Sequence, residues 1–407
     1  MSRPYQVVVF GASGFTGRLV AEYLAAHYAA DHEQPDRRLR WAMAGRSSAK
    51  LERVRSEIGA EGIDLIVADS HDRESLDAMC AQAEVVCTTV GPYAKYGVEL
   101  VAACVANGTD YCDLSGEVPF MRRTIEAHHA KAHADGTRIV HSCGFDSVPS
   151  DIGLLFLQRE AEARLGRFCE SVEMVVAGAK GSFSGGTFAS LFNVLRERRE
   201  QPGVADILDD PYVLNAPAPP GNCPAPDLKR AKYSETFGVT VAPFVMASIN
   251  TRIVRRSHAL AGFPYGRDFC YSEAMATGRG ALASLSAKLM ATGINAVERG
   301  GLVSKLAQKL TPDPGEGPGR DERESGYFKL RFFGKTGDGQ HIRTELRGKR
   351  DPGYGATSRM LAESAIALAT TRGQGRTGGV LTPALAIGEE LLTRLPDRAD
   401  VTMRVVE

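Results

Sequence analysis

A chain of 407 residues has room for two or three domains at ~150 residues each. At this size roughly three-quarters of the unfolded surface is buried, so no staple is needed to hold a core. With 43% hydrophobic and 24% charged residues, the composition excludes a disordered, collagen-like or disulfide-framework chain. Lys+Arg 49 balance Asp+Glu 49, so a global basic field for nucleic acid is absent.

The chain opens on Met1-Ser2-Arg3-Pro4-Tyr5 without a signal-peptide h-region, and nowhere do 18 apolar residues run together. A cytoplasmic protein is expected, with peripheral contact at the inner membrane left open. The eight cysteines show no C-x-x-C pair and no zinc-like spacing. Several, such as Cys87 and Cys104, sit in apolar runs, so buried reduced thiols are the expectation.

Short apolar runs at 7–10, 39–44, 63–68, 85–90, 109–112 and 138–142 read as strands. Helical patterns at 18–28, 49–58, 73–82, 98–107 and 120–134 separate them. Strands apolar throughout, alternating with helices, predict a parallel sheet covered on both faces, a doubly wound α/β domain of about six strands over 1–145.

The texture changes after Cys143. A strand at 172–177 and a helix at 188–199, opening after Ser184-Gly185-Gly186-Thr187, lead into 202–229. That stretch holds prolines 202, 211, 217, 219, 220, 224 and 226 and reads as an irregular excursion. Residues 327–333 and 341–347 alternate around Gly337-Asp338-Gly339, which predicts a hairpin. The region 146–350 is therefore expected to be an α+β substrate or dimerisation domain with an antiparallel sheet. Two helices, 356–371 and 384–395, close the chain over 351–407, the second with Thr382 as N-cap and Pro383 at its first position.

The sharpest motif is Gly11-Ala12-Ser13-Gly14-Phe15-Thr16-Gly17, directly after the first strand and opening a helix. A dinucleotide's pyrophosphate needs a tight turn, close backbone approach and free amides at a helix N-terminus, so all of these except Ala12 are candidate cofactor contacts. The second strand ends in Ala44-Gly45-Arg46-Ser47-Ser48 rather than in the Asp or Glu that holds an NAD ribose. A guanidinium with hydroxyls suits a 2′-phosphate, so Arg46 and Ser47 predict NADP(H) over NAD(H). Asp69 at the third strand's end and Val90, Gly91 and Pro92 after the fourth are expected at the same ligand, because ligands sit beyond the carboxyl ends of such strands.

With Tyr111-Cys112-Asp113-Leu114-Ser115-Gly116-Glu117, Cys143-Gly144-Phe145-Asp146-Ser147-Val148-Pro149-Ser150-Asp151, 250–257, Gly353-Tyr354 and 379–383, these motifs resemble the saccharopine dehydrogenase-like oxidoreductases. The nearest likeness is to the mycobacterial trans-acting enoyl reductase branch. The resemblance implies a Rossmann NADP-binding domain, an inserted α+β domain and C-terminal helices returning to the first domain. It also implies reduction of a carbon–carbon double bond in a polyketide-derived lipid precursor, in trans on a synthase or carrier protein. Alternatives are reduction of an imine or carbonyl in a small metabolite, and a non-catalytic NADP-bound lipid-handling protein.

Enoyl reduction needs a donor toward the thioester oxygen and a proton for the α-carbon. Tyr93 or Tyr96 is the expected donor by position, with Asp146 a further catalytic candidate; Asp113, Ser115, Glu117 and His141 lie at neighbouring strand ends. For Asp146 and for 113–117, turn and helix-cap roles compete with catalysis. His129 and His133, beside His128, have half-metal-site spacing without a completing ligand, so a solvated helix face is expected and no metal. Arg252, Arg255 and Arg256 read either as a patch for a phosphopantetheine or lipid headgroup or as a solvated face. The stretch 281–297 carries Leu282, Leu285, Leu289 and Met290 at helical spacing, with core packing expected over an acyl or membrane contact.

Overall fold

The computed structural model describes residues 3–181, 185–224, 226–299 and 317–406. From the amino terminus strands and helices alternate: β1 (Tyr5–Phe10), α1 (Phe15–His27), β2 (Trp41–Gly45), α2 (Ser48–Glu57), β3 (Asp64–Val67), α3 (Arg73–Gln82), β4 (Ala83–Thr88) and α4 (Tyr93–Tyr96). Then follow α5 (Val98–Ala106), β5 (Asp110–Cys112), α6 (Val118–Asp135) and β6 (Arg138–Val140). The alternation of side chains along β1 divides the core. Val7 and Val9 join Met43, Val85, Cys87 and Cys112 on one face, whereas Val8 and Phe10 join Ala42, Ala44, Val86 and Tyr111 on the other. Both faces are covered, which is why these strands carry no polar alternation.

The middle of the chain gives α7 (Val148–Leu165), β7 (Ser171–Lys180), α8 (Gly185–Glu200), α9 (Val204–Asp209), β8 (Lys232–Ser234), β9 (Val239–Ala242) and α10 (Ala247–Leu260). After these come β10 (Cys270–Gly278), α11 (Gly280–Arg299), α12 (Arg320–Ser325), β11 (Tyr327–Lys335) and β12 (His341–Lys349). The closing elements are α13 (Gly355–Thr370), β13 (Gly379–Leu381), α14 (Pro383–Arg398) and β14 (Val401–Val405).

The first sheet has the order β13-β6-β5-β4-β1-β2-β3 and is parallel throughout. The order reverses between β1 and β4, and the crevice for a ligand opens at such a point. Six strands come from the expected segment. The seventh, β13, is a C-terminal strand paired to β6 through Val380 and Ile139.

The second sheet has the order β14-β12-β11-β7-β10-β9-β8. It is mixed rather than antiparallel, because β7 and β10 run parallel; the chain between them is long enough for a crossover connection. The expected hairpin is present, with Leu330 opposite Leu346. The C-terminal residues thus contribute a strand to each sheet, β14 pairing with β12 through Met403 and Leu346.

Between the sheets lies α13, nearly all of it buried. Its alanines at 356, 362, 365, 367 and 369 let it lie close against its neighbours, and its core cluster joins Val7 and Val9 of the first sheet to Phe328 and Phe332 of the second. The 351–407 segment is therefore a joint between the sheets as well as a cover.

The excursion before β8 is anchored firmly. Cys223 forms a disulfide with Cys270, Cα–Cα 5.5 Å, which corrects the expectation of eight reduced thiols. Cys80, Cys87, Cys104, Cys112, Cys143 and Cys169 are free and buried. The pairing joins positions 47 residues apart, a proximity that apolar context in the sequence does not reveal. Among the described residues no helix is long and apolar enough to cross a membrane.

Candidate active site

The turn after β1 is shaped by three glycines with different duties. Gly11 has φ +91°, and a Cβ there would stand 2.7 Å from Val90 Cγ2. On Gly17 a Cβ would fall on the Gly11 carbonyl and stand 2.7 Å from Thr89 Oγ1, so the helix packs against the turn only because that position is bare. Gly14 differs: its nearest neighbour would be Gly11 O at 3.3 Å, and its other side is open. As N-cap of α1, Gly14 precedes first-turn amides that no side chain caps and that have no acceptor within the helix. The turn is braced by Gly11 N and Ala12 N, which donate to Ala44 O at 2.9 and 3.2 Å. An anion meets an uncapped helix end with backbone exposed beside it, which fits a pyrophosphate.

At the end of β2, Arg46 is exposed, and among the described residues no carboxylate pairs with it. Ser13 Oγ would lie 3.6 Å from a Cβ on Gly45, so Ser13 stands next to this strand end. Ser47 is the N-cap of α2 and its hydroxyl accepts Lys50 N. A guanidinium free of acid partners with hydroxyls on either side fits a 2′-phosphate. Asp69 Oδ1 accepts His71 N at 3.0 Å and builds the turn into α3. Thr89 N continues the ladder to Phe10 O at 3.1 Å, and this brings Val90 against Gly11, with Gly91 and Pro92 at the mouth.

Tyr93 is not placed as the expected donor. Tyr93 is buried, stacked on Phe120 at 6.1 Å. Its hydroxyl accepts Leu114 N at 3.1 Å and donates to Thr88 O, and burial holds its phenol well above the usual value. Tyr96 packs edge-on against His71 at 5.4 Å, next to the turn that follows β3. The amphipathic phenol of Tyr93 was drawn inward because a backbone amide and an aromatic neighbour satisfy both of its ends.

At the ends of β5 and β6 the acids divide their work. Asp113 Oδ1 accepts Ser115 N at 2.9 Å and Ser142 N at 3.0 Å, and Oδ2 accepts Tyr111 OH at 2.8 Å and His141 Nδ1 at 2.7 Å. Asp113 and His141 are thus buried scaffolding, with the carboxylate holding Ser142 at φ +62°. Glu117 caps α4 from outside, accepting Tyr93 N at 2.7 Å and Ala94 N at 2.9 Å; Ser190 also donates to it, at 2.7 Å. Ser115 Oγ accepts Glu117 N at 3.2 Å.

Asp146 stands apart. No other described residue donates a hydrogen bond to its carboxyl, which is crowded by protein yet keeps a flank toward solvent. Burial pushes it up to about 7, with the charge of Asp113 adding to the effect. Its Oδ2 would lie 3.1 Å from a Cβ on Gly144, and Leu114 and Thr357 crowd the same spot. Thr357 Oγ1 accepts Phe145 N at 3.0 Å, so α13 fixes the turn that carries Asp146. An acid that titrates near neutrality at a strand end is suited to proton transfer.

Residues from the far end of the chain also gather here. Tyr354 packs edge-on against Phe15 at 4.8 Å, and the Arg323 guanidinium lies 5.6 Å over the same ring. The second half of the chain therefore reaches the start of α1. Gly353-Tyr354 was visible as a motif, but nothing local connects it to residue 15.

Two other sequence features change meaning. Arg252, Arg255 and Arg256 are buried. Arg252 pairs with Asp227 at 2.7 Å, Arg255 donates to Pro211 O at 3.2 Å, and Arg256 donates to Leu214 O and to Ala216 O at 2.8 Å. They are neither patch nor solvated face; they clasp the carbonyls of the proline-rich excursion. His129 packs at the approach to β13, its Nδ1 accepting Val380 N at 3.2 Å, whereas His133 is exposed on the helix face, its Nδ1 lying 3.1 Å from Gly378 O. Among the described residues no group of His, Cys, Asp and Glu is arranged to hold a metal ion. Ser184 and the side chains of 185–187 lie outside the described residues.

Residues 7–140 match the family model of the saccharopine dehydrogenase NADP binding domain. With the parallel sheet and its glycine turn, this defines the class: an NADP-dependent oxidoreductase, with NADP(H) as cofactor. A Mycobacterium tuberculosis relative is 42% identical over 97% of this chain and 96% of its own. The trans-acting enoyl reductase of Mycobacterium leprae is 39% identical over 97% and 96%. Saccharopine dehydrogenase (L-Glu forming) of Saccharomyces cerevisiae shares the fold, with TM-score 0.52 at 14% identity over 99% of this chain and 100% of its own. The chain belongs to the saccharopine dehydrogenase-like oxidoreductases, in the family of the mycobacterial trans-acting enoyl reductases.

Proposed function

We propose that the protein uses NADPH to reduce the carbon–carbon double bond of a lipid- or polyketide-derived enoyl thioester, acting in trans on a chain held by a carrier protein or synthase. The observation that carries this reading is the kinship over 97% of the chain with proteins named trans-acting enoyl reductases. The bound cofactor supplies the hydride. The chain's own residues hold and complete the reaction: Gly11, Gly14 and the amides of 15–17 receive the pyrophosphate, while Ser13, Arg46 and Ser47 receive the 2′-phosphate. Asp69 and Val90–Pro92 flank the remainder.

Hydride addition at the β-carbon leaves an enolate whose α-carbon needs a proton. Asp146 holds that proton on its carboxyl near neutral pH, and Asp113 positions the strand end through Ser142. The Leu114 side chain and α13 shield this carboxyl from water on its inner side.

The second reading is reduction of an imine or carbonyl, and the shared fold with saccharopine dehydrogenase supports it. Against it, the arginine cluster of α10 is committed to carbonyls and Asp227 and is not free to bind substrate carboxylates. The deciding experiment follows NADPH oxidation with carrier- or coenzyme-A-bound enoyl thioesters and with mixtures of amine and 2-oxo acid. Oxidation with the thioesters is expected. Oxidation with the imine mixture alone overturns the proposal in favour of the second reading, and oxidation with neither favours a lipid-handling protein without turnover.

A further inference from the structure

We propose that the outer face of α11, with the adjoining edge strand β8, is a docking surface for an anionic lipid bilayer. α11 lies on β9 and β10 through Ala283, Ala287 and Ala291, the buried side of the helix. Its larger side chains turn the other way. Leu282 is 84% exposed and Leu289 64%, and Leu285 and Met290 are exposed beside them. This inverts the usual arrangement, in which the apolar stripe of a surface helix faces the core. The expectation of core packing for these four residues is therefore corrected.

Cations surround the leucines. Arg279 precedes the helix, Lys288 lies within it and Arg299 ends it, all exposed. Lys229, Arg230 and Lys232 run beside it, also exposed, and are held there because Asn295 donates to Lys229 O at 3.0 Å and Arg279 donates to Gly238 O at 2.9 Å. Over 228–235 and 279–299 the exposed acids are Glu235 and Glu298. On a chain of zero formal charge this is a local excess of positive charge. Tyr233, 55% exposed, adds a ring with an apolar body and a polar tip. Leucines that reach acyl chains and cations that meet anionic headgroups are the two elements of an interfacial helix. A second copy of the same face would bring like charges together, which favours lipid over self-association.

The test uses the full-length protein, flotation with phosphatidylglycerol-rich vesicles and with pure phosphatidylcholine vesicles, and analytical ultracentrifugation. Binding to the anionic vesicles that weakens with salt is expected. Leu282→Glu with Leu289→Glu should reduce it on the order of ten-fold or more, and Lys232→Gln about five-fold. Both variants should retain wild-type NADPH affinity, because the glycine turn is untouched; this reports folding independently of enoyl reduction. Absence of binding to the anionic vesicles, or binding indifferent to the leucine changes, overturns the proposal. A dimer that Leu282→Glu dissolves overturns it too, by assigning the face to a second copy.

Discussion

Asp151 caps a helix that begins 232 residues later: its Oδ2 accepts the amide of Ala384 at 2.8 Å, within the first turn of α14. Its other oxygen accepts Ser257 Oγ at 2.6 Å. Thr382, the expected cap, bonds Ser257 instead and makes no side-chain cap. One buried carboxyl therefore ties α7, α10 and α14 together.

Burial pushes Asp151 up to about 7 from its ordinary 3.8. Between those values the folded protein holds a proton that the unfolded chain has released. Stability therefore falls as pH rises through that window and levels off above it, at roughly 1.4 kcal/mol per pH unit for one such group. Asn at 151 can still accept from Ala384. Asp151→Asn should flatten the dependence of Tm on pH across the window and raise Tm at pH above 7. Glu273 and Asp146, also pushed to about 7 by burial, leave a residual slope of the same sign. An unchanged slope in the variant would show that Asp151 does not carry a folded-state proton.

Asp146→Asn should lower kcat by about 10²–10⁴-fold, the usual worth of a positioned acid, while NADPH affinity stays within about two-fold. In the wild type kcat should fall as pH rises past about 7, where the Asp146 proton is lost, and the variant should lack that limb. Tyr93→Phe and Tyr96→Phe should retain turnover. The former should cost about 1 kcal/mol of stability, because the Leu114 amide loses its acceptor. Steady-state kinetics over a pH series separates the three residues.

Arg46→Ala should weaken NADPH binding by about 1.5–3 kcal/mol, roughly ten- to a hundred-fold, with little effect on NADH. Fluorescence titration with both coenzymes reads the difference. Equal losses for the two would remove Arg46 from recognition of the 2′-phosphate.

The glycines of the turn should separate folding from binding. Gly17→Ala places a methyl on the Gly11 carbonyl and should destabilise the unliganded protein by several kcal/mol, about the scale of other overpacking. Gly14→Ala meets only Gly11 O at 3.3 Å and should leave Tm within a few degrees while NADPH affinity falls. Thermal melts with and without NADPH check both.

Whatever depends on neighbours along the chain was legible in the residues alone. The runs at Val7–Phe10 needed no tertiary knowledge to read as doubly buried strands, nor did the glycines of 11–17 to read as a turn opening a helix. Arg46 at a strand end is local in the same sense, as is the Gly337-Asp338-Gly339 hairpin. Burial and partnership are set by chain distant in sequence, so they emerge only once the fold brings those segments together. Whether Tyr93 keeps a free hydroxyl depended on Leu114 reaching back to the phenol. Whether the arginines of α10 face solvent depended on the carbonyls of 211–216, and the Cys223–Cys270 bond on two segments meeting. The leucines of α11 have helical spacing in either case; the alanines pack inward because smaller side chains let the helix approach β9 and β10 closely, which leaves the larger ones outside.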